Sequence, residues 1–320
     1  MRFVCPDGEP THEAFLRHAA AGAFADAGHD LCVFAGVPCD SDEWVERLRG
    51  ADGILLGWKL PAGVLGRLPS VRLVSFLGTG AERFVDLQEA RASGVTVCNV
   101  PSYGANAIAE HAVALMFAVA RRIPALDHAV RNGEFPQWSM DELRGRRLGI
   151  VGLGPIGARV AEIAAALDMD VQVWTRGATP ERAKRHGVSF TSLENLFDCS
   201  EIVSIHLAHV PETEGLIGRD LLERLPHGAM VINTARAELL DNIALAELVA
   251  ASRLRGAGID VFNDEPPARS DPLLAEPNVV LTAHVAYNTE PAVRELYRIA
   301  IENATSFAAG LPVNVVGRAA

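Results

Sequence analysis

The feature that most restricts the fold is a glycine turn between an apolar run and a helix. Leu148-Gly149-Ile150-Val151 passes without a spacer into Gly152-Leu153-Gly154-Pro155-Ile156-Gly157. A strand that ends in GxGxxG and restarts as a helix is the opening of a βαβ unit. Gly152 permits the tight turn, Gly154 lets backbone approach a pyrophosphate, and Gly157 lets helix and strand pack closely. The helix beginning around Pro155 and Ile156 then offers unpaired N–H groups to an anion. Glycine turns also serve packing alone, so this one needs support from its surroundings.

The surroundings alternate strands and helices. Apolar runs at 2–5, 31–35, 53–57, 71–75 and 95–98 predict strands, and 11–27, 41–49 and 85–93 predict helices. A helix rich in Ala, Leu and Met follows Asn106 and runs to about residue 122. After the glycine turn, strands are expected at 171–174, 201–205, 229–232, 256–260 and 279–281, with helices at 157–167, 180–186, 219–224 and 241–251. The tail is helical over 290–309, and 311–315 reads as an extended piece. This rhythm predicts an α/β chain of two Rossmann-like domains with parallel sheets. The first is discontinuous: 1–100 is completed by the C-terminal segment 287–320, and 101–286 forms the second, including the helix between them.

Composition excludes several functions. A net charge of −11 over 320 residues leaves no basic stripe for nucleic acid. Five cysteines, an odd number without a CxxC pair, point to reduced thiols. The start MRFVCPDGEP is too polar for a signal peptide, and Glu110 and His111 interrupt the most apolar helix. The expectation is a soluble cytoplasmic protein without membrane association. No dense His/Cys/acid cluster suggests a metal site.

At the end of the strand after the glycine turn, NAD sites place an acid on the adenosine ribose. Here Thr175 and Arg176 stand there, with Arg182 and Arg185 nearby. A guanidinium suits a 2′-phosphate, so the residues favour NADP while leaving NAD open. Solvated helix-start charges are the alternative.

Three ionisable residues follow expected strands: Arg236, Glu265 and His284. A parallel sheet gathers its C-terminal loops at one edge, so residues far apart in sequence can meet there. Hydride exchange at a carbinol or carbonyl carbon needs a proton carrier, a fixed cation and a group that holds the carrier. Histidine, arginine and glutamate match those needs in that order. Taken singly, each has a bland reading as a cap, a turn acid or an edge histidine.

Several ordered segments carry a resemblance. They are LGIVGLGPIG (148–157), VSIH (203–206), GAMVINTAR (228–236), GIDVFNDEP (258–266) and VLTAH (280–284), preceded by Gly78-Thr79-Gly80, VDL (85–87) and VCNVP (97–101). Together the chain resembles the D-isomer-specific 2-hydroxyacid dehydrogenase family over nearly its whole length. The resemblance implies a substrate-binding first domain and an NAD(P)-binding second one. It makes Arg236 the substrate-orienting cation, Glu265 the histidine partner and His284 the acid/base. Asp260 becomes a partner of the nicotinamide carboxamide, with Thr234, Ala235 and His206 at the cofactor cleft. Gly78, Thr79 and Gly80 match a loop whose N–H groups receive the substrate carboxylate, and Trp58 and Lys59 border substrate.

The implied reaction is hydride transfer between NAD(P)H and the α-carbon of a small 2-oxoacid such as glyoxylate, hydroxypyruvate or pyruvate, giving the 2-hydroxyacid. The family also implies a homodimer paired through the cofactor domain. A phosphite or formate dehydrogenase is the enzymatic alternative, and a dinucleotide-sensing binding protein the non-enzymatic one. Two departures are notable: Ala237 and Ala283 stand where the family often has Gly and Pro.

Overall fold

A computed structural model describes residues 1–317 of the chain. Its first part holds Arg2–Gly8 (β1), Glu13–Asp26 (α1), Asp30–Ala35 (β2), Ser41–Leu48 (α2), Gly53–Leu56 (β3), Leu73–Phe76 (β4), Leu87–Ala92 (α3) and Thr96–Cys98 (β5). There follow Ala105–Ala120 (α4), Ile123–Arg131 (α5), Arg147–Val151 (β6), Pro155–Ala166 (α6), Asp170–Trp174 (β7), Pro180–His186 (α7) and Ser189–Phe190 (β8). Next come Leu193–Cys199 (α8), Ile202–Ile205 (β9), Arg219–Arg224 (α9), Met230–Asn233 (β10), Asn242–Ala250 (α10), Gly256–Ile259 (β11) and Val279–Leu281 (β12). Glu290–Ala308 (α11) and Val315–Gly317 (β13) follow last.

Two compact units result, Met1–Gly104 with the segment from Thr289 onward, and Ala105–Asn288. Both are Rossmann-like, and the first is discontinuous, as expected. Among the described residues its sheet runs β13-β5-β4-β3-β1-β2, parallel except for β13, which lies antiparallel to β5. The second unit's sheet runs β12-β11-β10-β9-β6-β7-β8, parallel throughout.

Alternating side chains build a core on each face of each sheet. In the first unit Ile54, Leu56 and Val74 pack with Trp44 and Leu48 of α2. On the other face Phe3, Leu55 and Leu73 meet Leu16 and Phe24 of α1 and Val293, Tyr297 and Ile301 of α11. The return of α11 therefore closes a core face that the first hundred residues leave open. In the second unit Leu148, Ile150 and Ile232 pack with Leu115, Met116 and Val119 of α4. Opposite them, Val151, Val203 and Val231 meet Leu196 and Phe197 of α8. Each such fully buried side chain contributes roughly 1.5–3 kcal/mol.

Three differences from expectation have local causes. Helix α8 was not anticipated, although Ser192 caps it by accepting from the Asn195 N–H, and Leu193, Leu196 and Phe197 share one buried face. The two-residue edge strand β8 has too short a pattern to read. The C-terminal strand starts at Val315 and not at 311, because Pro312 has no N–H for a ladder and Asn314 turns at φ +53°. Among the described residues no helix is long and apolar enough to cross a membrane. All five cysteines are free.

Candidate active site

In the second unit the glycine turn and the candidate catalytic residues lie past the C-terminal ends of strands. The glycine turn follows β6, Thr175 and Arg176 follow β7, and His206 follows β9. Thr234–Arg236, Asp260 with Glu265, and His284 follow the adjacent strands β10, β11 and β12. The strand order reverses between β6 and β9, where open α/β sheets form a ligand crevice.

The glycine turn has the shape a pyrophosphate requires. Gly152 stands at φ +104°, and a Cβ there would lie 2.5 Å from the His206 carbonyl. A Cβ on Gly157 would lie 2.0 Å from the Gly152 carbonyl, so neither position admits a side chain. A Cβ on Gly154 would meet nothing within 4 Å, which leaves open space over the N-terminus of α6. Gly154 is the N-cap of that helix and supplies no side-chain cap, so its first N–H groups face outward for an anion. Beside β10, the Thr234 hydroxyl is buried without a hydrogen-bond partner among the described residues. An orphaned donor and an uncapped helix end fit a dinucleotide.

Beyond β7, Arg176 is exposed, whereas Arg182 is committed. Its guanidinium donates to the Leu153 carbonyl at 2.7 Å and the Gly177 carbonyl at 2.6 Å, bracing the glycine turn against the next loop. His206 is buried and donates to or accepts from Ser204 Oγ at 2.8 Å. Burial pushes its pKa down to about 3, so it is a neutral imidazole, and its backbone carbonyl supports Gly152 from below.

Arg236 is held by a residue the sequence reading missed. Asn233 closes β10 fully buried; its Oδ1 accepts from the Ala235 N–H at 3.0 Å and its Nδ2 donates to the Arg236 carbonyl at 2.9 Å. The amide thus clamps both ends of the 233–236 turn. Its signal was an asparagine ending an apolar strand. Arg236 itself is half-buried and donates from Nη1 to the Ala235 carbonyl at 2.6 Å. Ala237, one of the two departures, is buried and opens a short 3-10 turn, Ala237–Leu239.

Glu265 and His284 meet: Oε2 lies 2.8 Å from Nδ1. The other carboxylate oxygen accepts from the Phe262 N–H at 3.1 Å, which fixes its orientation. A carboxylate accepts only, so Nδ1 carries the proton and Nε2 is left for another partner. Both side chains are about one-third exposed, at 34% and 29%, so the pair orients more than it stabilises. Tyr287 adds an edge-to-face contact on the imidazole at 6.4 Å between centroids. Asp260 is fully buried and accepts from the Val285 and Ala286 N–H groups, each at 3.0 Å. With Thr282 donating as well, one lone-pair site remains on its Oδ2.

In the first unit, Trp58 is 48% exposed and Lys59 is exposed beside it. Gly78 is buried; its N–H donates to the Phe76 carbonyl at 2.9 Å and its carbonyl accepts from Val100. That N–H is already engaged, while Gly80 adopts φ +76° at the head of a 3-10 turn. Among the described residues no group of three His, Cys, Asp or Glu side chains is arranged to hold a metal ion.

Known proteins resemble this chain in sequence and fold. Residues 113–286 match the model of the D-isomer specific 2-hydroxyacid dehydrogenase, NAD binding domain. A glycerate dehydrogenase of Methylorubrum extorquens is 33% identical over 287 residues, covering 86% of this chain and 88% of its own. A D-3-phosphoglycerate dehydrogenase of Archaeoglobus fulgidus is 35% identical over 257 residues, covering 80% of this chain. The chain spans about half the length of that relative, 49%. A crystal structure of a Thermus thermophilus protein superposes with a TM-score of 0.87 at 31% identity, covering 99% of this chain and 100% of the other. A family model over more than half of the chain, and a relative above 30% identity covered over most of its length, show that this chain belongs to the D-isomer-specific 2-hydroxyacid dehydrogenase family.

Proposed function

We propose that the chain is an NAD(P)-dependent 2-hydroxyacid dehydrogenase that reduces a small 2-oxoacid such as glyoxylate, hydroxypyruvate or pyruvate. The observation that carries this is the Glu265–His284 contact of 2.8 Å, on a strand edge that also presents Arg236. Similarity to a glycerate dehydrogenase over most of both chains supports the substrate class.

Bound NADH or NADPH supplies the hydride when the 2-oxoacid is reduced. Arg236 pairs its planar guanidinium with the substrate carboxylate and stays charged at any working pH. His284, protonated on both nitrogens, gives the Nε2 proton to the substrate oxygen and takes it back in the oxidative direction. Glu265 keeps Nδ1 protonated throughout and holds the ring plane. Asp260 offers its remaining Oδ2 site to the nicotinamide amide, and Thr234 its unpartnered hydroxyl to the cofactor. Gly152, Gly154, Pro155, Ile156 and Gly157 hold the pyrophosphate. In the first unit, Thr79, Gly80, Trp58 and Lys59 are the proposed substrate-side residues, with Gly78 left to shape the loop because its N–H is taken by the Phe76 carbonyl.

The exposed Arg176 favours NADPH over NADH. The second unit pairs two chains into a homodimer, a reading supported by exposed Ile123, Val130, Phe135, Trp138 and Met140 along one segment. Phe135→Asp should shift light-scattering mass toward the monomer; an unchanged dimer would place the interface elsewhere.

The deciding measurement is nicotinamide absorbance with each cofactor against a panel of 2-oxoacids, phosphite and formate. Oxoacid-dependent oxidation of the reduced cofactor is expected. Turnover with phosphite or formate alone would replace the proposal, and cofactor binding without any turnover would leave a sensor. Arg236→Ala should abolish productive oxoacid use while cofactor binding persists.

A further inference from the structure

We propose that His111 and Thr282 are positioning residues that lock the Asp260 carboxylate and, through it, the backbone that carries His284. This inference deepens the proposed function and rests on His284 as its acid/base.

His284 occupies the left-handed region at φ +52°, where a side chain is disfavoured unless the surroundings over-determine it. One residue, Asp260, holds the backbone there. The Asp260 carbonyl accepts from the His284 N–H at 2.8 Å, and the Asp260 carboxylate accepts from the next two N–H groups, of Val285 and Ala286. Three successive amides therefore close on a single buried aspartate. Rotation of that carboxylate would release two of them.

What prevents rotation lies further back. The Thr282 hydroxyl is 2.6 Å from Asp260 Oδ1, and His111 Nε2 is 2.9 Å from the same hydroxyl. A hydroxyl has one proton, and an ionised carboxylate only accepts, so Thr282 donates to Asp260. The hydroxyl oxygen must then accept from His111, which requires the Nε2–H form of that ring. His111 Nε2 also stands 3.6 Å from Asp260 Oδ1. The path runs from α4 through the end of β12 to the end of β11 and back to the His284 backbone. His111 has no part in the proton transfer itself, which separates its effect from that of His284.

The test uses the full chain. Nitrogen-15 NMR of the wild-type protein should show the Nε2–H form of His111; the Nδ1–H tautomer would overturn the proposal without any variant. In Thr282→Val, hydrogen exchange of the Val285 and Ala286 amides should quicken about tenfold, and kcat for a 2-oxoacid should fall about 10–100-fold with cofactor affinity changed less than about threefold. Thr282→Ser should restore both. Unchanged exchange together with kcat within about twofold of wild type in Thr282→Val would sink it. If the wild-type protein turns over no 2-oxoacid, the functional reading fails, and the tautomer and amide exchange still decide the relay.

Discussion

The two units share a topology and differ at the place where that topology offers a crevice. In the second unit the strand order reverses at β6 and β9; in the first it reverses at β1 and β3. Past β6 comes a glycine turn with open space above an uncapped helix. At the end of β1 stands Asp7, 2% exposed, whose carboxylate accepts the Trp58 N–H at 2.6 Å and the Gly57 N–H at 3.1 Å. Those donors lie just past β3, on the other side of the same switch point. One unit leaves its switch-point donors unpaired and the other fills them with its own carboxylate. Topology supplies a crevice, and the first βα turn decides whether a ligand or a side chain occupies it.

The largest expected effect tests the open unit. His284→Ala should lower kcat about 10²–10⁴-fold while dinucleotide binding is retained, read by steady-state kinetics and cofactor titration. Retention of most of the rate would move the chemistry off this sheet edge and dissolve the contrast. Next comes the filled unit. Burial outweighs the amide bonds at Asp7 and pushes its pKa from 3.8 up to about 6. Below the unfolded value both states hold the proton; as pH rises toward 6 the unfolded chain releases it first and stability is lost. Between pH 4 and 7 the native chain should lose about 2 kcal/mol relative to Asp7→Asn, measured by denaturant unfolding. A difference flat with pH would show that the carboxylate is not the buried clamp described. The smallest effect concerns the ribose end: Arg176→Ala should weaken NADPH about tenfold and leave NADH nearly unchanged. Equal losses for both would remove the 2′-phosphate from that side chain.

Much of this molecule was legible beforehand for a physical reason. Buried parallel strands need short apolar runs, so β3, β9, β10 and β11 stood out, and Arg236 and Glu265 followed two of them. The segments that escaped were those whose signal is brief or shared. β8 is two residues long and sustains no period, and the apolar residues of α8, Leu193, Leu196 and Phe197, run on toward those of β9. Asn233 and Thr282 escaped for another reason: a buried amide or hydroxyl is assigned by what it bonds, and those partners lie across turns or, for Thr282, on α4 and β11.

The amino-acid order alone carried the resemblance to the family, the doubly wound class and the candidates Arg236, Glu265 and His284, because glycine spacing and polar residues after apolar runs are local facts. Folding decided which of these touch. It brought Glu265 to His284 across nineteen residues of chain, engaged the Gly78 N–H, braced the glycine turn with Arg182 and seated Asp260 beneath three amides. Hydrogen-bond partners depend on distance in space, which a linear pattern does not contain.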